Sequence, residues 1–200
     1  MNSVIGTIKK RRSRYALEKE ITISDPELKG LIENIVEEMP TQMNSQSSRL
    51  VVLLGRDHDR LWDIALEELK KVTTEEQYEG TLAKVNGAFK SGYGTILYYE
   101  DQQVVRSLEE QFPAYAHNFP SWSVQSSGML QMTIWSALAD EGIGASIQHY
   151  NELIDSRVRE EWKVPSDWKM VGQMPFGVPA DEPGEKEVQP VGERVVFHQS

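Results

Sequence analysis

The fold is decided by two stretches of sequence, Leu50-Val51-Val52-Leu53-Leu54 and Thr95-Ile96-Leu97-Tyr98-Tyr99. Gly55 ends the first stretch, and Gly92 and Gly94 separate the second from the helical pattern before it. Short apolar runs bounded by turn residues are typical of strands with both faces buried. The two stretches therefore predict strands of a central sheet.

Helical patterns surround these strands. Ser24 and Pro26 mark a strong helix start, because an N-cap residue precedes a proline in the first helical turn. Apolar residues then recur at 3.6-residue spacing until Pro40 ends the helix. A capping-box pattern from Thr73 to Glu76 opens another helix. Besides the helix that begins after Ser24, the predicted helices cover residues 2–10, 57–71, 73–90, 101–111, 123–140 and 151–162.

Two further segments predict strands, and two predict irregular structure. The strands are residues 142–148 and 168–174. Residues 112–122 contain two prolines and several aromatic residues, which predicts a long loop of the kind that forms lids over ligands. Residues 178–200 are rich in proline and acids and predict an extended arm suited to wrapping another chain. This order of elements predicts a single α+β domain over residues 1–200, with helices flanking the sheet.

The composition excludes several classes of protein. The 31 acidic and 21 basic residues give a formal net charge of −10, which argues against a long nucleic-acid interface. The absence of cysteine excludes disulfides, thiolate catalysis, iron–sulfur clusters and thiolate zinc sites. No stretch reaches the roughly 18 apolar residues of a spanning helix, and the N-terminus lacks an apolar signal core, so we expect no membrane contact and a cytoplasmic location.

Two polar clusters are candidates for ligand binding. The basic run from Lys9 to Arg14 is either the solvated end of a helix or a small anion site, such as a site for one phosphate. Asn44, Ser45 and Gln46 precede a predicted strand, where amides can read the edge of a planar heterocycle, although polar loops before strands are also common without a ligand. The four histidines are scattered without ligand spacing, so we expect no metal site.

Further short motifs follow one another along nearly the whole chain. They include Leu61-Trp62-Asp63, Asn118-Phe119-Pro120-Ser121-Trp122-Ser123, Gln125-Ser126-Ser127-Gly128-Met129, Glu141-Gly142-Ile143-Gly144-Ala145-Ser146, Gln148-His149-Tyr150-Asn151 and Gln173-Met174-Pro175-Phe176-Gly177. Together with the two clusters, their order and spacing resemble the nitroreductase family, and within it the fatty-acid-repression-mutant-like subgroup. The resemblance implies a nitroreductase-like fold with a central, mostly antiparallel sheet, in an intertwined homodimer that uses residues 178–200 as its arm.

The resemblance also implies an FMN site. In this family a turn after the first helix grips the flavin phosphate and ribityl chain, and a C-terminal arginine closes on the phosphate. These roles fall here on the turn at residues 11–13 and on Arg194, with Lys186 behind it. The complete set of implied cofactor-binding residues is Arg11, Arg12, Ser13, Asn44, Gln46, Asn86, Lys90, Ile147, Gln148, His149 and Arg194.

The remaining candidates are implied to meet the flavin ring. Asn44 and Gln46 would contact the flavin of the other subunit. Asn86 or Lys90 would reach the pyrimidine end of the ring, and residues 147–149 would lie against the isoalloxazine. The resemblance therefore implies that two chains together complete each flavin site.

The implied function is that of an FMN-dependent NAD(P)H oxidoreductase, which reduces nitroaromatic, quinone or related small oxidised acceptors by a ping-pong mechanism. The flavin N5 carries this chemistry, so no side chain is expected to be catalytic. His149 and Tyr150 stand where many family members have an acidic residue and a glycine, which leaves donor and acceptor choice open. Two alternatives stay open: a flavin-binding stress or lipid-signalling regulator with little steady turnover, and a non-enzymatic acidic dimerisation module.

Overall fold

One antiparallel sheet of five strands organises residues 4–199, the part of the chain that the computed structural model describes. The strands are β1 Leu17–Glu18, β2 Ser48–Leu54, β3 Gly94–Asp101, β4 Gly144–Ala145 and β5 Trp168–Pro179. Their order is β1-β5-β3-β2, and β4 pairs with β5 off this path. β2 therefore forms one edge of the sheet, opposite the side on which β1 and β4 meet β5.

Helices flank both faces of this sheet. They are α1 Val4–Lys10, α2 Asp25–Glu38, α3 Gly55–Val72, α4 Glu75–Val85, α5 Gln102–Gln111, α6 Phe119–Asp140 and α7 Asn151–Trp162. Short 3-10 turns cover Gln42–Asn44, Pro113–Asn118 and Val191–Glu193, and a π-helical turn covers Asn86–Lys90.

Strand β3 joins two hydrophobic clusters, one on each face of the sheet. Leu97 and Tyr99 pack into the cluster that contains Trp62 of α3. Ile96 and Tyr98 pack into the opposite cluster, with residues of α2 and α6. All five side chains are fully buried. Because successive side chains of a strand point to opposite faces, a sheet covered on both sides requires an uninterrupted apolar run.

The predictions for the central elements are confirmed. The two apolar stretches form the body of β2 and β3, and the α+β class with an antiparallel sheet holds. Ser24 caps α2, and the Glu27 carboxylate accepts the Ser24 N–H at 2.8 Å in a capping box. The predicted first helix is present from Val4, and its residues 2 and 3 lie outside the described residues.

The capping box predicted before α4 is displaced by one residue. Thr74 is the N-cap, and its side chain pairs with Gln77 rather than Thr73 with Glu76. The Thr73 hydroxyl instead donates to the Leu69 carbonyl at 2.9 Å and closes the end of α3. The prediction was wrong because two adjacent threonines offered two registers, and the end of α3 decided between them.

Residues 113–122 are helical rather than a loop. Helix α6 begins at Phe119, whose ring is fully buried and packs edge-on against Trp122 at 5.3 Å between centroids. Phe119 packs in a small core cluster, whereas most of this segment is exposed, so its role as a lid stays a prediction. The predicted strand over 142–148 is also wrong in extent, since it pairs with β5 only at β4 and through an isolated bridge at Gln148.

Candidate functional site

The turn at residues 11–14, which we call the arginine turn, is held by α6 and β4. The Arg14 N–H donates to the Ala145 carbonyl at 2.9 Å, and Trp135 Nε1 donates to the same oxygen at 3.1 Å. The Arg11 guanidinium lies over the Trp135 ring, with Cζ 4.2 Å from the ring centroid. This cation–π contact orients the guanidinium plane without using its N–H groups.

The arginine turn has unsatisfied donors. Nε of Arg11 and Nε of Arg14 are buried and have no hydrogen-bond partner within residues 4–199. Burial, together with the charge of Arg12, lowers the pKa of Arg11. A buried N–H without an acceptor is unfavourable, and phosphate oxygens would supply both acceptors and negative charge. The turn therefore fits a phosphate-bearing ligand.

The first residues of the arm border the arginine turn. Arg12 Nη2 donates to the Gly184 carbonyl at 2.9 Å. Arg14 lies 3.9 Å from an Asp181 oxygen and 3.7 Å from a Glu182 oxygen. These two carboxylates are exposed, and exposed ion pairs of this length contribute little. The arm thus leaves the positive charge of the turn largely unneutralised.

Residues 147–149 follow β4 and lie along β5 beside the arginine turn. The Gln148 N–H donates to the Gln173 carbonyl at 2.7 Å, and the Gln173 N–H donates back to the Gln148 carbonyl at 2.9 Å. Gln173 is fully buried, and its Oε1 accepts the Tyr150 N–H at 2.8 Å. One buried amide therefore holds the end of this segment, while His149 is exposed.

The π-helical turn Asn86–Lys90 lies beside the same segment. The ring of Phe89 is 6.2 Å from that of Tyr150, between centroids. The first residue of the turn is exposed, whereas the ammonium group of its last residue pairs with Asp63. The arginine turn and residues 147–149 thus meet at β4, where Trp135 and Ile147 pack into one cluster of the core, whereas Phe89 and Tyr150 pack into the cluster on the opposite face.

Residues 41–47, which we call the amide loop, hold unusual backbone conformations. Met43, Asn44 and Gln46 have φ angles of 49°, 53° and 50°. Residues with a Cβ atom rarely adopt the left-handed region, and each one costs about 1–2 kcal/mol. Asn44 and Gln46 are exposed, so the strained backbone presents both amides to the outside of the protomer.

Side chains at both ends of the amide loop hold it in place. Gln42 Oε1 accepts the Ser126 hydroxyl at 2.6 Å, and Thr41 Oγ1 accepts the Gln46 N–H at 2.9 Å. Arg49 Nη1 donates to the Gln46 carbonyl at 2.7 Å. These contacts fix a loop whose own backbone geometry is unfavourable.

The structure does not bring the amide loop to the arginine turn of the same chain. The loop contacts α6 at Ser126, whereas the arginine turn contacts α6 at Trp135. These two points are nine positions apart along the helix, which is about 13 Å. Arg194 is exposed on the arm, and no hydrogen bond within residues 4–199 joins it to the arginine turn.

A buried histidine fixes the end of the π-helical turn. His58 Nε2 lies 3.2 Å from the Lys90 carbonyl oxygen, so Nε2 carries the proton. Nδ1 then accepts the Thr95 hydroxyl at 2.9 Å, and Thr95 Oγ1 accepts Trp62 Nε1 at 3.0 Å. Desolvation by burial lowers the pKa of His58 to about 4. The neutral ring therefore belongs to the folded state.

Acid is expected to destabilise the protein through His58. The unfolded chain takes up this proton near pH 6.5 and the folded chain only near pH 4, so the stability contributed above pH 6.5 is lost as the pH falls towards 4. The full loss is roughly 3 kcal/mol in the free energy of unfolding. Urea unfolding at pH 7 and pH 4.5 should show a smaller difference for His58→Gln than for the wild type. Equal differences would contradict the buried neutral ring.

Sequence patterns missed several of these residues. Trp135 lies within the predicted helix over 123–140, and nothing in that pattern marks it as a site residue, yet its ring carries the Arg11 guanidinium. Gln173 lies in a predicted strand and Glu100 directly follows one, and both are buried, whereas His58 is buried within a polar stretch of α3. A polar residue inside a strand pattern was the one available signal, because such residues are usually hydrogen-bonded when buried.

The described residues contain no helix long and apolar enough to cross a membrane. In the same part of the chain, no group of three or more histidine, aspartate or glutamate side chains is arranged so that it could hold a metal ion.

Comparison with known proteins identifies the family and the fold. A family model described as the nitroreductase family matches residues 8–178. HBN1 of Saccharomyces cerevisiae is 35% identical over 186 residues, and nitroreductase FRM2 of the same yeast is 30% identical over 184 residues; each match covers 91% of both proteins. Nitroreductase CinD from Lactococcus lactis, solved in complex with nicotinic acid, is 42% identical with a TM-score of 0.92 over 98% of this chain and 100% of that one. The chain therefore belongs to the nitroreductase family.

Proposed function

We propose that this chain is an FMN-dependent oxidoreductase, which takes electron pairs from NADH or NADPH and passes them to nitroaromatic, quinone or related small oxidised acceptors. The arginine turn carries this proposal. Arg11 and Arg14 have buried, unpaired N–H groups beside residues 147–149, in a chain of the nitroreductase family. A ligand with a phosphate at one end and a flat ring at the other matches this arrangement.

We propose one role for each group of residues. Arg11, Arg12 and Ser13 hold the phosphate and the ribityl chain, and the Trp135 ring keeps the Arg11 guanidinium oriented. Residues 147–149 lie along the ring, and Asn86 of the π-helical turn faces its pyrimidine end. Lys90 is also a candidate to contact the flavin ring. It would use its backbone, or its ammonium group after that group separates from Asp63.

FMN, when bound, supplies the two-electron chemistry, so the chain needs no nucleophile of its own. We propose no catalytic side chain. The protein binds the cofactor, orients donor and acceptor, and limits access of water to the site. Donor and acceptor occupy the same place in turn, which is a ping-pong scheme.

We also propose a homodimer in which the arm of one chain packs on the other. A groove of about 800 Å³ lies beside the edge strand β2 and is lined by apolar side chains that include Leu28, Ile32, Val36, Leu50, Val52 and Leu130. The arm carries the exposed apolar residues Val188, Val191, Val195, Val196 and Phe197. Thr41 and Gln46 line the same groove, so a partner docked there would meet the amide loop. In the docked arm, Lys186 and Arg194 would close on the phosphate.

Anaerobic stopped-flow reduction tests the function. Purified protein reconstituted with FMN should be yellow, and NADH or NADPH should bleach the flavin absorption. A nitroaromatic compound or a quinone, added in the second syringe, should restore the absorption without donor present. A protein that fails to take up FMN would refute the proposal. Tight FMN binding with slow reduction by both donors would favour a regulatory protein instead.

A further inference from the structure

Glu100 of β3 is a buried carboxylate, with 1% of its surface exposed. Its two oxygens accept hydrogen bonds from two hydroxyls at the junction of the amide loop and β2. Ser47 Oγ donates to Oε2 at 2.6 Å, and Ser48 Oγ donates to Oε1 at 2.6 Å. Short hydrogen bonds to a carboxylate are stronger than those between neutral groups. Glu100 therefore clamps the end of the amide loop from inside the sheet.

Among the residues that the structure describes, no cation pairs directly with this carboxylate. Within residues 4–199, no ammonium or guanidinium nitrogen lies within 4.0 Å of the Glu100 carboxylate. Arg49 pairs instead with Asp101 at 3.1 Å, and Lys169, the cross-strand partner of Glu100, is exposed. Burial raises the pKa of Glu100, against the opposing effect of Ser47 and Ser48. A buried acid without an ion-pair partner is costly for the fold, so its presence at this position needs a reason other than stability.

The amide loop supplies that reason. Its left-handed residues Met43, Asn44 and Gln46 need outside contacts to hold their conformation. The Ser47 carbonyl also accepts the Asp101 N–H at 2.9 Å, so both the side chain and the backbone of Ser47 are tied to the end of β3. Asn44 and Gln46 point outward from the protomer and lie away from the arginine turn of their own chain.

We propose that Glu100 is a positioning residue for the flavin site of the partner subunit. By clamping Ser47 and Ser48, it keeps Asn44 and Gln46 of its own chain in the conformation that contacts the partner's flavin. This inference rests on the proposed FMN site and dimer. It assigns Glu100 no contact with the flavin, only control of the loop that makes that contact.

Glu100→Leu removes both acceptors and is expected to raise the FMN dissociation constant about tenfold, the loss expected from one or two hydrogen bonds. Glu100→Gln keeps one acceptor oxygen and an amide donor, and should recover most of the affinity. Ser47→Ala is the milder variant and should show an intermediate loss. Gln131→Leu is the matched control, because Gln131 is also buried but bonds Ser127 within α6. It should leave FMN affinity unchanged.

Mixed dimers test whether the effect acts across the interface. Chains carrying Glu100→Leu and chains carrying Arg11→Ala with Arg12→Ala are co-expressed with different tags, and the mixed dimer is purified. If Glu100 acts on the partner's site, one site of the mixed dimer is intact. It combines the arginine turn of the Glu100→Leu chain with the amide loop of the chain that carries Arg11→Ala and Arg12→Ala. We expect one FMN per mixed dimer at wild-type affinity. Weak binding at both sites would overturn the proposal, as would unchanged affinity in Glu100→Leu dimers. Failure of the wild type to bind FMN would instead refute the function itself.

Discussion

Replacing Arg11 and Arg12 together by alanine is expected to weaken FMN binding at least about 100-fold. Each guanidinium offers charge-assisted hydrogen bonds to phosphate, worth roughly 1.5–3 kcal/mol apiece, and each 1.4 kcal/mol is a factor of ten. Arg11 contributes more than its charge, because the Trp135 ring holds its plane before the ligand arrives. Titration of the cofactor-free protein with FMN, followed by flavin fluorescence, measures the loss.

The matched control removes the same number of charges from the same helix end. Lys9 is exposed, and Lys10 donates to the Asp140 carbonyl at 2.7 Å rather than to the arginine turn. Lys9→Ala with Lys10→Ala should therefore change FMN affinity less than threefold, through long-range charge alone. An arginine variant with unchanged FMN affinity would show that the turn is only a solvated helix end.

Removing residues 188–200 is expected to convert the protein into monomers that retain little FMN. The deletion strips the arm of its exposed valines and of Phe197, each of which gains about 1.5–3 kcal/mol when fully buried. Without the partner, no amide loop reaches the arginine turn, because the two lie about 13 Å apart along α6 in one chain. Light scattering after size-exclusion chromatography gives the mass, and the flavin-to-protein absorbance ratio gives the occupancy.

Two comparisons make this result specific to the arm and its groove. Removing only residues 198–200 leaves Phe197 in place and should leave a dimer. On the groove side, Val52→Lys places a charge on the edge strand β2, whereas Val72→Lys places the same charge on an exposed valine at the end of α3. Only the first should dissociate the dimer. A dimer that survives both Val52→Lys and the long deletion would place the interface elsewhere.

Most of the local structure could be predicted from the sequence, because it depends on interactions between residues that are close together in the chain. The apolar run at 50–54 requires burial on both faces, and Ser24 with Glu27 closes a capping box within four residues. The predictions of local structure were wrong where the sequence was compatible with two local conformations. Adjacent threonines allowed two caps for α4, and residues 112–122 had the prolines of a loop but the buried aromatic ring of a helix start.

The site was harder to predict, because the residues that contact one another there are far apart in the chain. Ser13 meets Ala145 and Ser47 meets Glu100 because strand pairing sets their positions, and Arg11 meets Trp135 because α6 packs beside the turn. A motif can mark a residue as polar and near a turn. It cannot tell which of its N–H groups remains without an acceptor, and that is the property that makes the arginine turn fit an anion.

Sequence alone therefore determined the α+β class, the main helices and strands, the absence of cysteine chemistry and the segments that carry the candidate site. Those follow from periodicity, capping and composition, which act over a few residues. Only the tertiary structure decided that the arginine turn and residues 147–149 share one side of the sheet, that the amide loop lies elsewhere, and that Glu100 holds it. Those facts depend on contacts between residues more than 50 positions apart, which no local pattern encodes.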